Sequence, residues 1–136
     1  MKVIFYFLIF LIMTVFYRLR QDNQERSRYR GCYFARAVNL GTIETDELAR
    51  IIECNCSLKR SDVLAVLTEL SDVVSKLLAD SHRVRLAGIG SLMVGINGCP
   101  CSDPDHYDAS YVTGLHICFK PEKELRLTTD VAPLPP

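Results

Sequence analysis

The side chains with the most chemical potential in this chain are its six cysteines, its three histidines and a run of arginines near the N-terminus. Cys54 and Cys56 are one residue apart, as are Cys99 and Cys101, and His106 and His116 follow the second pair. Zinc sites built on cysteine pairs usually leave two residues between them, whereas a single intervening residue pinches the thiolates on an extended chain. The spacing reads against a metal, and the six thiols, Cys32 and Cys118 included, read as reduced cysteines of a cytosolic protein. No nucleophile stands at a spacing that supplies a base, no glycine-rich loop is set to cradle phosphate, and His82, His106 and His116 are isolated. The expectation is a protein that is not an enzyme and uses no cofactor.

The arginines point elsewhere. Six lie between Arg18 and Arg36, at positions 18, 20, 26, 28, 30 and 36, against Asp22 and Glu25, and they interleave with Tyr17, Tyr29, Tyr33 and Phe34. Guanidinium groups among aromatic rings on a strand pair can hold phosphates and stack bases, and the same composition also serves as a solvated outer face. Overall charge does not choose between these: 16 Lys plus Arg balance 16 Asp plus Glu, so any attraction for nucleic acid has to come from a local patch.

The elements that must position these groups follow from periodicity. At 136 residues and 49% apolar, the chain suits one globular domain without disulfides. Runs 14–21 and 32–38 alternate as strands around the polar stretch DNQERSRYRG, which predicts an antiparallel hairpin with a mobile loop. Thr45 reads as an N-cap, with Asp46 and Glu47 in the first turn of a helix through Leu48, Ile51 and Ile52. After a break at 55–58, Val63, Leu67, Leu70, Val74 and Leu77 form a stripe about five turns long, widened by Leu64, Val66, Val73 and Leu78. A stripe that wide needs more than one neighbour, so the chain is expected to be a homodimer.

Past Asp80 the period changes to two. Val84 and Leu86 alternate with Arg83 and Arg85 and lead into Gly88-Ile89-Gly90-Ser91-Leu92, where two glycines mark a sharp turn or a close backbone approach. Residues 95–114 read as a long, partly flexible connection, Leu115, Ile117 and Phe119 as a returning strand, residues 120–125 as a last helical turn or two, and DVAPLPP as a flexible tail.

The apolar run at 3–17 gives ~22 Å of helix against a hydrocarbon core of ~30 Å, and no small-residue cleavage site follows it. Met13 opens the strand pattern. Residues 1–12 therefore read as an upstream extension of the reading frame, with a short membrane anchor as the other reading.

The order of elements and three blocks of sequence resemble the bacterial histone-like proteins of the HU and integration host factor family. The blocks are TDELARIIECNCSLKRSDVLAVLTELSDVVSKLL, RVRLAGIGSL and FKPEKEL. That family turns at Gly-Phe-Gly and ends its closing strand in Phe-Lys-Pro; here Gly88-Ile89-Gly90 and Phe119-Lys120-Pro121 stand in those places. The strand pair before the blocks resembles the extension of an HU-related subfamily. The resemblance implies an α+β fold with a two-helix hairpin, a three-stranded antiparallel sheet with a long arm and a short C-terminal helix, to which an N-terminal β-hairpin is added. The expected division is 1–12, then 13–44 as the hairpin extension, 45–127 as the HU-like domain and 128–136 as tail.

The resemblance also implies a function, as a nucleoid-associated cytoplasmic dimer that binds double-stranded DNA with low sequence specificity in an architectural role. In such dimers a saddle of strands meets the DNA, while paired arms enter the minor groove and wedge a proline between base steps. Carried over by position, the saddle residues are Arg83, Arg85, Ser91, Lys120 and Lys123, and the wedge candidates are Pro100 and Pro104. Arg18, Arg20, Arg28 and Arg30 of the hairpin join them as candidate DNA contacts. The arm departs from the pattern, because no Lys or Arg lies between Arg85 and Lys120 while Asp103, Asp105 and Asp108 do. Phosphate repels such an arm, so strong bending is not expected. The rival expectation is an HU-like dimer that has lost DNA binding and serves protein assembly, held at a membrane by its N-terminal run.

Overall fold

The computed structural model describes residues 14–136 except 126 and 128, so both readings of residues 1–12 lie outside the described residues. Among the described residues no helix is long and apolar enough to cross a membrane. The described residues form two compact units: those within Glu44–Arg126, and those from Thr14 to Ile43 together with those within Leu127–Pro136.

β1 (Thr14–Gln21) and β2 (Tyr33–Ala37) pair antiparallel, with Arg18 opposite Arg36 and Arg20 opposite Phe34. The polar connection is tied by local hydrogen bonds. The Asp22 carboxylate accepts from the Gln24 backbone at 3.0 Å and from the Ser27 hydroxyl, and both hydrogen bonds hold it below the usual carboxylate range, Ser27 most strongly. Gly31 then takes φ +85° and donates to the Asp22 carbonyl at 2.8 Å.

α1 (Thr45–Asn55) begins at Thr45 itself, with Glu44 in the cap position and no side-chain cap, so the expected Thr45 cap is displaced by one residue. Its first turn keeps Asp46 and Glu47 where the helix dipole favours them, and Glu47 pairs with Arg50 at 3.3 Å. α2 (Arg60–Ala79) carries the broad stripe, but its own unit covers it poorly. Val63 and Leu78 are buried and Leu64, Leu67 and Val74 half-buried, while Leu70, Val73 and Leu77 are exposed and Val66 is 61% exposed. Ala49, Val63 and Leu78 are the only buried apolar side chains among the described residues.

β3 (Val84–Leu86), β4 (Gly90–Gly98) and β5 (Val112–Pro121) form an antiparallel sheet in that order. The two glycines at its first turn serve different ends. Gly88 sits at φ +80°, where a side chain is strained. A Cβ on Gly90 would stand 2.5 Å from the Lys120 carbonyl oxygen and 2.6 Å from the Phe119 ring, so glycine is needed for close packing. Register and alternation place Leu92, Val94, Ile96, Leu115, Ile117 and Phe119 on one face, and Ser91, Met93, Cys118 and Lys120 on the other. On the apolar face Ile96, Leu115 and Ile117 are 64%, 70% and 66% exposed. Between that face and α2 lies a hollow of about 880 Å³, lined by Leu67, Leu70, Val74 and Leu78 from the helix and by Leu86, Leu92, Leu115 and Ile117 from the sheet.

The connection from β4 to β5 is more ordered than its Gly, Pro and Asp content predicts. Asp103 and Asp108 each open a single 3-10 turn, accepting from the Asp105 and Ser110 backbones at 3.0 and 2.7 Å. Tyr107 and Tyr111 stack with ring centres 5.0 Å apart, and the Cys99 amide donates to the Tyr111 carbonyl at 2.8 Å.

Two expectations fail at the C-terminal end. No helix follows β5 among the described residues; the Glu122 amide is taken by the Ile89 carbonyl at 3.0 Å, and the chain makes only one turn, closed by Leu125 on the Glu122 carbonyl at 3.1 Å. The tail is not free either. β6 (Asp130–Pro133) pairs parallel with β1, Val131 opposite Val15, and Leu134 donates to the Tyr17 carbonyl at 2.9 Å. Its one proline, Pro133, is tolerated because β6 is an edge strand, where a missing N–H breaks no ladder.

Candidate nucleic-acid interface

The polar face of the β3-β4-β5 sheet gathers the five saddle residues read from the sequence. Arg85 stands opposite Ser91, and Ser91 opposite Lys120, so the three form one row across three strands. Arg83 lies two residues before Arg85, and Lys123 follows in the turn after β5. All five line a hollow of about 310 Å³ with Pro121, Glu122 and Glu124. Ser91 is buried, at 4% exposure, so a small side chain forms the middle of the row between two long cationic ones.

These cations are not equivalent. Both ends of the Arg85 guanidinium engage Glu122: Nε meets one carboxylate oxygen, and Nη2 donates to the other at 3.1 Å. The second oxygen also accepts from the Gly88 amide at 3.2 Å. The Arg85 hydrogen bonds, and then that of Gly88, hold the Glu122 carboxyl below the usual carboxylate range, while Glu122 raises Arg85. Arg85 is thus a clamp on the Gly88 turn, whereas Arg83 and Lys120 make no ion pair among the described residues.

Glu122→Gln should therefore lower the melting temperature at neutral pH by releasing the turn. A carboxylate whose folded pKa is depressed stabilises above its unfolded value, near ~4.3. The gap between parent and variant should narrow as pH falls through Glu122's lower folded value. Thermal melts from pH 7 down to pH 3 check this; a constant gap would show that the loss is one of packing and not of the ion pair.

In the hairpin unit the candidate set changes. Alternation puts Arg18 and Arg20 on one face with Phe34 and Arg36, while Arg28 and Arg30 belong to the loop. Arg36, which the sequence reading left out of its site, is the cross-strand partner of Arg18; pairing register is the missing signal. In the β4–β5 connection Pro100 lies two residues past the end of β4 and Pro104 opens the first 3-10 turn. The Asp108 carboxyl is held below the usual range, chiefly by the Ser110 hydroxyl and then by its amide. The six cysteines are unpaired, and no group of three or more His, Cys, Asp or Glu among the described residues could hold a metal ion.

Among curated proteins none matches the sequence. Among solved structures, an inferred bacterial DNA-binding protein from Bacteroides vulgatus ATCC 8482 is similar at TM-score 0.64 and 16% identity, over 89% of this chain and 48% of its own. This chain therefore spans about half the length of that protein. An Anabaena HU–DNA cocrystal structure is similar at TM-score 0.47 and 17% identity, over 60% of this chain and 91% of its own. Residues 13–132 match the HU-HIG family, described as an HU domain fused to a wHTH, Ig or glycine-rich motif, and the chain belongs to that family.

Proposed function

We propose that the protein is a homodimeric, HU-like binder of double-stranded DNA with low sequence specificity and an architectural role. The observation that carries this is the hollow lined by Arg83, Arg85, Ser91, Lys120 and Lys123 at the polar face of the sheet, in a chain of the HU-HIG family. Arg83 and Lys120 supply the phosphate contacts, and Arg85 holds the turn that presents them. The opposite face supports the dimer. A helix stripe and a sheet face that leave Val66, Ile96, Leu115 and Ile117 more than 60% exposed in one chain need a second copy to remove them from water.

The acidic connection sets the strength of binding. Asp103 and Asp108 build its turns, so substitution by lysine would alter charge and shape together; Asn keeps an acceptor oxygen at both caps. Asp103→Asn, Asp105→Lys and Asp108→Asn combined should tighten duplex binding severalfold at low salt, with the gain fading at high salt, if the arms lie near DNA. Titration of parent and variant against a short duplex at two salt concentrations tests the whole reading. A parent with no salt-dependent affinity would favour the rival role in protein assembly.

A further inference from the structure

We propose that the hairpin unit carries a second nucleic-acid site, for single strands, on the face shared by Arg18, Arg20, Phe34 and Arg36. Register puts Arg18 opposite Arg36 and Arg20 opposite Phe34, so three arginines and one phenylalanine share a single face. None of the three makes an ion pair among the described residues, and the ring is 45% exposed. Arg20, Phe34 and Arg36 also line a hollow of about 710 Å³ together with Gln21, Asp22, Asn23 and Gln24.

The chemistry favours a single strand over a duplex or an acidic protein segment. Phosphate or carboxylate would satisfy the guanidiniums alone. A ring set among them adds a stacking platform that only an unpaired base can use, since bases in a duplex are already stacked. Tyr29 meets Phe34 edge-on, with centroids 6.0 Å apart and planes at 86°, which steadies the ring without stacking on it. The polar lining suits base edges: the Asn23 and Gln24 amides offer donors and acceptors, while Gln21 donates to the Gly31 carbonyl and Asp22 uses its carboxylate on Ser27 and Gln24. This site lies in a different compact unit from the saddle and stands or falls independently of it.

The test uses the full chain with two probes, a fluorescent oligothymidylate of about 12 nucleotides and a blunt-ended duplex. Phe34→Leu keeps apolar bulk and removes the stacking ring; it should weaken oligothymidylate binding by roughly fivefold or more and leave duplex binding within about twofold. Arg18→Gln, Arg20→Gln and Arg36→Gln combined should flatten the single-strand salt slope by about two units. If the triple variant fails to fold, Phe34→Leu alone decides. Unchanged oligothymidylate affinity in Phe34→Leu overturns the proposal, as does equal loss on both probes. Displacement of the oligothymidylate by polyglutamate, with Phe34→Leu silent, would reassign the face to an acidic protein segment.

Discussion

Ile117→Asp is expected to turn the proposed dimer into an unfolded or aggregating chain at micromolar concentration. Ile117 is 66% exposed in the single chain, and a substitution at such a position in a monomer ordinarily changes stability by no more than about 0.5 kcal/mol. If a second copy covers the sheet face, the same change strands a carboxylate in an apolar interface and costs about 3–5 kcal/mol in each protomer. Val74→Asp, on the helix side of the same hollow, should behave alike. Sedimentation and circular dichroism measure both effects, and the parent's melting temperature should rise with protein concentration. A folded dimer from Ile117→Asp, as stable as the parent, would mean that the exposed face is not shared between two copies.

The second large effect is expected on DNA. Arg83→Gln with Lys120→Gln should lower duplex affinity by about one to two orders of magnitude at low salt. In the proposed dimer each protomer loses two cations, so the loss of four phosphate contacts would flatten the salt slope by about 3.6 units. Arg85→Gln should instead resemble Glu122→Gln, with a lower melting temperature and little change in slope, because its guanidinium is engaged on Glu122. Titrations at two salt concentrations with a melt for each variant separate these outcomes. A saddle variant that binds like the parent would remove the sheet's polar face from the DNA-binding reading.

The features readable from the sequence were those with local periodicity or a single steric demand. The stripe on α2 repeats every three or four residues, the strands around Gly88 and Gly90 repeat every two, and those glycines answer to one turn and one close approach. What was not readable depends on partners far apart in the chain. Arg85 and Glu122 are 37 positions apart, and nothing near either marks one as the other's clamp. Residues 120–125 have a helical composition, but Glu122 and its amide are already committed to the Gly88 turn. Arg36 entered the hairpin face through pairing register, and β6 found β1 from the other end of a tail whose prolines suggest no order.

That parallel pairing has a consequence for the order of assembly. β1 and β2 can meet as soon as both exist, through a short loop, whereas β6 must wait for the whole Glu44–Arg126 unit to be made before it can reach β1. Closing so long a loop is entropically costly while the intervening chain is open and less so once it is compact. A two-stranded hairpin is marginal in water, and the third strand makes the sheet durable. The small sheet should thus mature last and open first. Amide exchange would find its slowest sites in α2 and the β4–β5 ladder, with β6 released ahead of everything else.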